Sequence, residues 1–386
     1  MDARINRLRL GFGVTLLNRC LWQGGVDGIG SYTLELLKAF SRRSDIDTTP
    51  LSFGTAMHAQ VTQGEKAKVL ARFEVAALVS MLTGRPFAGA SELSRTLDIV
   101  HATDHRIPQL GQLPVVATLM DAIPLVHPEW VSASRLGRIK HAFWRRSAHW
   151  ADHVITISEY SKTEIMNHFG LPEDRISVTP LGVDTRWFYP LVESVLAQVS
   201  VRLSLPNRYF LFVGTLQPRK NVSRLIAAYQ SLPNWLRDEV ALLIVGRAGW
   251  QCEDITSNLE SGVYGSNVKW LKHLPEEELL TVMKGATGLV FPSLYEGFGL
   301  PVLEAFAAGV PVVTSNTTSL PEVAGDAALL INPLDETEIA GAMQRIIEDT
   351  SLANSLRQRG LSRALEFTWD RTAEMTIDVY RDVLAR

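Results

Sequence analysis

The chain has 386 residues, of which 46% are apolar and 20% charged, a composition that excludes fibrous and largely disordered proteins. The formal net charge of −3 excludes a protein that binds nucleic acid mainly through basic charge. Two cysteines, Cys20 and Cys252, are too few for a disulfide framework and fit a reducing compartment. The apolar run at residues 75–82 is far shorter than the roughly twenty residues that span a bilayer. We therefore expect a cytoplasmic protein, either free or peripheral at the cytoplasmic face of the membrane.

Apolar runs that predict strands alternate with helical patterns along the chain. The predicted strands are residues 8–16, 115–119, 153–157, 209–213, 241–245, 288–291 and 310–314, and helices are predicted at 32–40, 222–230 and 276–284. Most runs are continuously apolar, as in parallel sheets covered by helices on both faces. The alternation predicts an α/β fold of two doubly wound domains that face each other across a cleft. The composition places their boundary within residues 184–207.

The strongest motif is Glu296-Gly-Phe-Gly-Leu-Pro-Val-Leu-Glu304, directly after the strand predicted at 288–291. Pro301 suits a first helical turn, and Gly297 and Gly299 permit a tight loop before it. The amides at such a helix start bind anions, and here they belong to Gly299, Leu300, Val302 and Leu303. Glu296 and Glu304 could accept hydrogen bonds from hydroxyls on either side of a diphosphate. A carboxylate in an otherwise apolar helix is costly without a partner, which favours a function for Glu304.

A second motif, Gly214-Thr-Leu-Gln-Pro-Arg219-Lys220-Asn221, follows the strand predicted at 209–213. Arg219 and Lys220 offer a guanidinium fork and a point charge that together suit a diphosphate. Asn221 can cap the next helix. The alternative is an ordinary basic surface turn, but the presence of the first motif favours phosphate binding.

A third, weaker signal is the glycine-rich stretch at residues 24–30, which contains Gly28 and Gly30 and opens the first long helix. Its amides could also meet a phosphate. The stretch is not a dinucleotide-binding fingerprint, because the G-x-G-x-x-G spacing is absent.

With these motifs the chain resembles the retaining glycosyltransferases of the GT-B architecture, family 4 of the sequence classification, also called group 1. The resemblance is carried by residues 28–30, 213–221, 296–304, 157–162, 180–184, 320–323 and 367–369, and it covers almost the full length. It implies an N-terminal acceptor-binding Rossmann-like domain over 1–190 and a C-terminal nucleotide-sugar-binding Rossmann-like domain over 205–367. It also implies a final helix, about 368–386, that crosses back to the first domain.

The resemblance implies a role for each matching residue. Arg219 and Lys220 would neutralise the donor diphosphate, and Glu304 would hold the nucleotide ribose. Glu296 would contact hydroxyls of the transferred sugar. The further donor-binding positions are Gly28, Gly30, Gly214, His273, Leu274, Gly297, Phe298, Gly299 and Leu300.

One position departs from the family pattern. Met120 stands where the family usually has a histidine near the reacting carbon of the sugar, which argues against a histidine-based mechanism. Beside it, Asp121 is either a group that orients acceptor or donor, or a turn residue. His101, Asp104 and His105 either line the acceptor side or are structural.

The implied activity is hexosyl transfer with retained anomeric configuration from a GDP- or UDP-linked sugar, without metal or cofactor. The likeness to polysaccharide mannosyltransferases suggests mannose from GDP-mannose, transferred to a glycan or lipid-linked saccharide. Asp45-Ile-Asp47 has the DxD form that metal-dependent transferases use, but it precedes a turn far from any phosphate loop. Two other classes stay open, namely a nucleotide-sugar-binding protein without turnover and a GT-B sugar-nucleotide epimerase.

Residues 134–150 predict a basic amphipathic helix. The stretch contains Arg135, Arg138, Lys140, Arg145 and Arg146 and no acidic residue, and its apolar positions recur at helical spacing. Such a helix is drawn to anionic lipid, and the alternative is an ordinary packed helix with a solvated basic face. The first interpretation predicts a lipid-linked acceptor and a peripheral membrane contact, and we expect no nucleic-acid partner.

Overall fold

The computed structural model describes residues 7–22, 28–54, 66–130 and 135–386, with only the backbone described for residues 135–140. The strands are β1 Leu8–Gly13, β2 Ile46–Phe53, β3 Lys68–Leu70, β4 Ile99–Ala102, β5 Val115–Thr118, β6 His153–Thr156, β7 Ile176–Val178, β8 Tyr209–Val213, β9 Ala241–Val245, β10 Val268–Leu271, β11 Gly288–Phe291, β12 Val312–Ser315 and β13 Leu329–Ile331. The helices are α1 Thr15–Trp22, α2 Gly28–Ser41, α3 Phe73–Thr83, α4 Ala90–Thr96, α5 Ile123–Val126, α6 Arg135–Ala148, α7 Glu159–Phe169, α8 Glu193–Leu203, α9 Val222–Gln230, α10 Asn234–Glu239, α11 Glu253–Glu260, α12 Glu276–Lys284, α13 Leu300–Ala307, α14 Leu320–Ala324, α15 Glu336–Glu348, α16 Thr350–Ala364 and α17 Trp369–Leu384.

The chain divides into two compact units. One comprises Met1–Gly182 with Trp369–Arg386, and the other is Val183–Thr368. The sequence placed the boundary within 184–207, but all of that stretch belongs to the second unit, which begins at Val183. It contains a 3-10 turn at Thr185–Phe188 and helix α8, which packs on α12. The prolines of this stretch therefore separate short elements within one unit instead of marking a linker.

The first unit is built on a parallel sheet of seven strands in the order β3-β2-β1-β4-β5-β6-β7. The order reverses beside β1, as in doubly wound folds. Strands β4, β5 and β6 are buried at every position, which is why their sequences are mostly apolar and do not alternate between apolar and exposed polar residues. The C-terminal helix α17 belongs to this unit, packs on α2 and buries Tyr380.

The second unit has a parallel sheet of six strands in the order β10-β9-β8-β11-β12-β13. Strands β8, β9 and β11 are fully buried and have the bounds that their apolar runs predict. The predicted start of β12 at residue 310 is wrong, because the strand begins at Val312. Proline 311 has no amide hydrogen to donate to the ladder, so the strand starts after it. The carboxyl ends of β8, β11 and β12 are neighbours at one edge of this sheet.

The prediction for β1 is also wrong at its end. The apolar run continues to residue 16, but the strand ends at Gly13 and the next apolar residues enter helix α1. Val14 and Leu17 are buried, as they would also be in a longer strand. The pattern of apolar residues alone could therefore not separate strand from helix here. In the part of the chain that the structure describes, no helix combines the length and the hydropathy needed to cross a bilayer.

Candidate functional site

Three charged side chains meet at the carboxyl edge of the second sheet. The Lys220 Nζ lies 2.6 Å from Glu296 Oε1, and Arg219 Nη1 lies 2.9 Å from Glu296 Oε2. Lys220 and Arg219 stand in the loop after β8, and Glu296 stands in the loop after β11, the neighbouring strand. The structure thus brings together residues that are 76 positions apart in sequence and that we predicted separately.

The environment of this cluster perturbs its charges. Lys220 is only 8% exposed and Glu296 only 7%. Burial lowers the pKa of Lys220 to about 8, although the Glu296 carboxylate works in the opposite direction. Burial alone would raise the pKa of Glu296, but the charges of Lys220 and Arg219 outweigh it and hold that pKa below its ordinary value. Two cations and one carboxylate leave this cluster with a single net positive charge.

Backbone and amide hydrogen bonds fix the two loops against each other. The Leu294 amide donates to the Arg219 carbonyl at 2.7 Å, and Arg219 Nη1 donates to the Tyr295 carbonyl at 3.0 Å. Asn221 has φ 60° and begins helix α9 as predicted, but its side chain does not cap that helix. Its amide instead donates to the carbonyls of Pro292 and Pro333, so Asn221 joins the loops after β8, β11 and β13.

Ser319 is a positioning residue that the sequence analysis missed. Its hydroxyl is buried and lies 2.9 Å from the carbonyl oxygens of both Glu296 and Phe298, between which its single hydrogen is shared. It therefore holds the loop that carries Glu296 from the side of β12. The available signal was its position directly before the Leu320-Pro turn, which starts helix α14.

Helix α13 begins at the same edge. Gly299 has φ 122°, and a Cβ at this position would lie 2.8 Å from Leu320 Cδ2, so only glycine fits without strain. We predicted four amides for an anion, and two of them are already bonded, because Val302 and Leu303 donate to the Gly299 carbonyl. The amides of Gly299 and Leu300 donate to no backbone carbonyl of the described residues. These two remain available, and they lie where the helix dipole is positive.

Glu304 lies one turn into α13, as predicted, on a helix whose other side chains at 302–307 are all buried. Among the described residues its carboxylate makes no hydrogen bond and no ion pair. Desolvation, together with the negative charges of Glu276 and Asp184, raises the pKa of Glu304 to about 7. An acid held in this state, without a partner, is typical of a binding or catalytic position.

The remaining predicted donor positions of this unit lie on the same edge. Leu274 is buried, while His273 is exposed and has Nε2 3.2 Å from an Arg247 Nη2. Gly214 directly follows β8, and its carbonyl oxygen would lie 1.9 Å from a Cβ at Gly246. The loops after β8 and β9 therefore touch backbone to backbone. Gly297 and Phe298 are buried within the Glu296 loop.

In the first unit, the structure changes the interpretation of His101. Its ring is fully buried, Nδ1 lies 2.6 Å from the Tyr380 hydroxyl and Nε2 lies 2.7 Å from Thr118 Oγ1. Burial lowers the pKa of His101 to about 3, so the ring is neutral at ordinary pH. The Thr118 hydroxyl also bonds Tyr32 at 2.7 Å. Of the two alternatives for His101, these contacts favour the structural one, because the ring joins β4, β5, α2 and α17 inside the core.

The other first-unit candidates have local partners. Asp104 is buried and accepts hydrogen bonds from the backbone amide and the guanidinium of Arg106. His105 stacks on Trp144 with ring centroids 4.5 Å apart. Asp121 accepts from the Ile123 amide at 3.0 Å, the geometry of a turn residue, and its side chain is partly exposed.

Several other predictions fall partly outside the described residues. Gly28 and Gly30 open helix α2, but residues 23–27 before them lie outside the described part. Of the basic helix 134–150, residue 134 and the side chains of 135–140 are likewise outside it, whereas Arg145 and Arg146 are exposed at the end of α6.

Asp45 of the DxD sequence pairs with Arg43 and Arg381. Within the described residues no three His, Cys, Asp or Glu side chains are grouped to hold a metal ion.

Comparison with known proteins identifies the family. Residues 199–363 match the model described as glycosyl transferases group 1, and residues 26–187 match glycosyltransferase family 4. An O-antigen chain mannosyltransferase B of Escherichia coli is 31% identical over 92% of this chain and 96% of its own length. This chain belongs to glycosyltransferase family 4. An MMP alpha-(1->4)-mannosyltransferase of Mycolicibacterium hassiacum is 31% identical over 73% of this chain and 68% of its own length.

Solved structures show that this family 4 chain has the GT-B fold. The Anabaena protein HepE in complex with UDP and glucose superposes with a TM-score of 0.75 at 19% identity, covering 97% of this chain and all of HepE. A sucrose-phosphate synthase of Thermosynechococcus elongatus superposes with a TM-score of 0.73 at 21% identity, covering 98% of this chain and all of that protein. The fold and the glycosyltransferase class inferred from the motifs are therefore confirmed.

Proposed function

We propose that this glycosyltransferase moves a hexose from a nucleotide sugar to a glycan or lipid-linked saccharide, with retention of anomeric configuration and without a metal ion. Mannose from GDP-mannose is the first donor to test, since mannosyltransferases from two organisms are about 30% identical to the chain. The observation that carries the proposal is the buried cluster of Arg219, Lys220 and Glu296, which lies at the same sheet edge as the start of α13.

The charges of this cluster suit a diphosphate. Lys220 and Arg219 are buried enough to interact strongly with an anion, and Glu296 keeps them in place when no donor is bound. Glu296 also removes one of their two charges, so the amides of Gly299 and Leu300 supply the additional positive potential that a diphosphate needs. In this proposal Glu296 accepts from hydroxyls of the sugar, and Glu304 accepts from the ribose.

The chemistry follows from these positions. As the bond to the sugar breaks, negative charge grows on the leaving diphosphate, and the two cations and the helix amides stabilise it. The diphosphate oxygen then takes the proton of the attacking acceptor hydroxyl on the same face, so the configuration is kept. Positioning and charge neutralisation provide the rate enhancement, and we assign no protein nucleophile. Roles for Gly28, Gly30 and Asp121 stay predictions.

We also propose that the basic helix α6 brings the protein to an anionic membrane surface, where a lipid-linked acceptor would lie. Its described basic side chains, Arg145 and Arg146, are exposed, and the sequence of the helix contains no acid. Each such cation near an anionic surface contributes about 1 kcal/mol of attraction.

The decisive experiment measures nucleotide release from a panel of GDP- and UDP-linked sugars, with and without a soluble saccharide acceptor. We expect one donor to be consumed, and consumption to be lost in Lys220→Ala and in Glu296→Ala. Arg208→Ala is the matched control, because Arg208 forms an exposed ion pair with Glu239 elsewhere in the same unit. Tight donor binding without turnover would contradict the proposal and favour a binding protein. Conversion of the donor sugar without any acceptor would favour an epimerase.

A further inference from the structure

Helix α3 has an apolar outer face. Four apolar side chains keep between 51% and 78% of their surface exposed, and we call them the α3 stripe: Val75, Leu78, Val79 and Leu82. At about 100° of rotation per residue the four fall within one arc about 100° wide. A surface helix normally presents polar or charged side chains on this side, so a continuous apolar stripe indicates a binding partner.

The inner face of the helix fixes this orientation. Phe73 is buried and packs against the rings of Phe53, Phe87 and Phe143, with ring centroids 5.3 to 6.0 Å apart. Ala77, on the same face, is fully buried. Turning the α3 stripe inward would expose this aromatic cluster, so the stripe stays at the surface in the folded unit.

The charges around the α3 stripe are positive. Arg72 precedes the helix and Arg85 follows its C-terminal Gly84, and both side chains are exposed. Neither forms an ion pair with the described residues. The helix that separates the two arginines has 11 residues and is about 16 Å long. Glu74 is the single acidic residue between them, so the stripe and its ends carry a net charge of +1.

Helix α6 extends this basic surface. It is a neighbour of α3, because its Phe143 packs on Phe73 with ring centroids 6.0 Å apart. Arg145 and Arg146 follow at the exposed end of α6. An apolar stripe with cations at both ends and a basic helix beside it has the chemistry of the boundary between lipid headgroups and acyl chains.

We propose that the α3 stripe inserts into the interfacial layer of an anionic lipid bilayer, with Arg72 and Arg85 at the headgroup phosphates. This rests on the proposed membrane contact of α6 and names a second element that makes it. A second copy of the chain is a poorer occupant, since pairing the stripe with itself would face two surfaces of net positive charge. The binding itself requires neither donor nor acceptor, so it can be measured apart from glycosyl transfer.

Vesicle flotation with the full chain tests the proposal. We expect binding to phosphatidylcholine vesicles that contain phosphatidylglycerol, and much weaker binding to phosphatidylcholine alone. The double variant Leu78→Asp, Leu82→Asp should lower the partition coefficient at least about tenfold, because it replaces inserted side chains by anions. Val201→Asp is the matched control, since Val201 is 81% exposed on α8 in the other unit.

The arginines are tested separately. Arg72→Gln should weaken binding about fivefold, and Arg72→Gln with Arg85→Gln about 25-fold, at low salt. Arg357→Gln, at a partly exposed arginine of α16 in the other unit, should leave binding unchanged. Circular dichroism and the melting temperature check that every variant is folded, as expected for exposed positions.

A fluorescent probe reports insertion directly. Cys20 and Cys252 are buried, so a cysteine introduced as Leu82→Cys can be labelled selectively with an environment-sensitive dye. Its emission should shift to shorter wavelength with anionic vesicles, and the same dye on Val201→Cys should not respond. Equal vesicle binding by wild type and the Asp double variant would overturn the proposal.

Two further outcomes separate this inference from the proposed function. If Arg145→Glu with Arg146→Glu releases the protein while the α3 variants still bind, the α6 contact holds and the α3 proposal is overturned. If light scattering shows that the wild type is a dimer and the Asp double variant a monomer, a second copy occupies the stripe and the proposal is again overturned. Nucleotide release with a soluble acceptor should be unchanged in the α3 variants, so a failure of glycosyl transfer in the wild type would be recognised independently.

Discussion

Glu304→Gln should make the folded protein more stable, and most strongly at neutral and alkaline pH. The pKa of Glu304 is raised from an ordinary value of 4.5 to about 7. Between these two values the folded state holds a proton that the unfolded state has lost, so the free energy of unfolding falls as pH rises through this range. At about 1.4 kcal/mol per pH unit, the full cost of ionising Glu304 is about 3 kcal/mol above pH 7. Glutamine has no charge to desolvate, so the variant does not lose this stability.

The assay is urea unfolding at pH 5 and pH 8, with thermal melting as a second measure. At pH 8 the variant should gain up to about 3 kcal/mol, or about 6–12 °C for a unit of this size. At pH 5 the gain should fall to about 1 kcal/mol, because Glu304 is then protonated in the folded wild type and only its unfolded form has lost part of its proton. Glu348→Gln, at an exposed position of α15, is the control and should show no comparable difference between the two pH values. A gain of equal size at both pH values, or a loss at pH 8, would refute the desolvation argument.

Four further outcomes are expected. Lys220→Met should lower stability by about 2–4 kcal/mol in urea unfolding, since it leaves a buried carboxylate with one cation, and it should abolish nucleotide release. Tyr380→Phe removes the hydroxyl bonded to His101 and should cost about 1–2 kcal/mol by thermal melting, with donor binding by calorimetry unaffected. Gly246→Ala should cost more than about 2 kcal/mol in the same assay, because the new Cβ would lie 1.9 Å from the Gly214 oxygen. Turnover in excess EDTA should equal turnover without it, and a loss restored by added Mg²⁺ or Mn²⁺ would contradict the proposed metal independence.

Local sequence was a good guide to the second unit. Strands β8, β9 and β11 and helices α9 and α12 have the predicted bounds, because each combines a buried apolar run with a clear start or stop signal. The sequence analysis did not predict short strands such as β3 and β13, whose three residues are too few to show a period. It also misplaced the division between the units. A proline-rich stretch indicates loops, but it does not show which unit those loops pack on.

The site was predicted in parts. Arg219, Lys220, Glu296 and Glu304 were found from their motifs, each directly after a strand. The missing part was the bonding between motifs. Nothing local indicates that Glu296 neutralises Lys220, or that Ser319 holds the Glu296 loop, because these contacts join different loops of the sheet edge.

The sequence by itself determined the class of fold, the family and the loops that offer cations and amides, because these depend on residue types at short spacing. The tertiary structure decided which charges meet, why His101 is enclosed between Tyr380 and Thr118, and which face of α3 is exposed. The physical reason is that burial and ion pairing depend on side chains that come from distant segments. Their effect on charge and on pKa exists only when the sheet has brought those segments together.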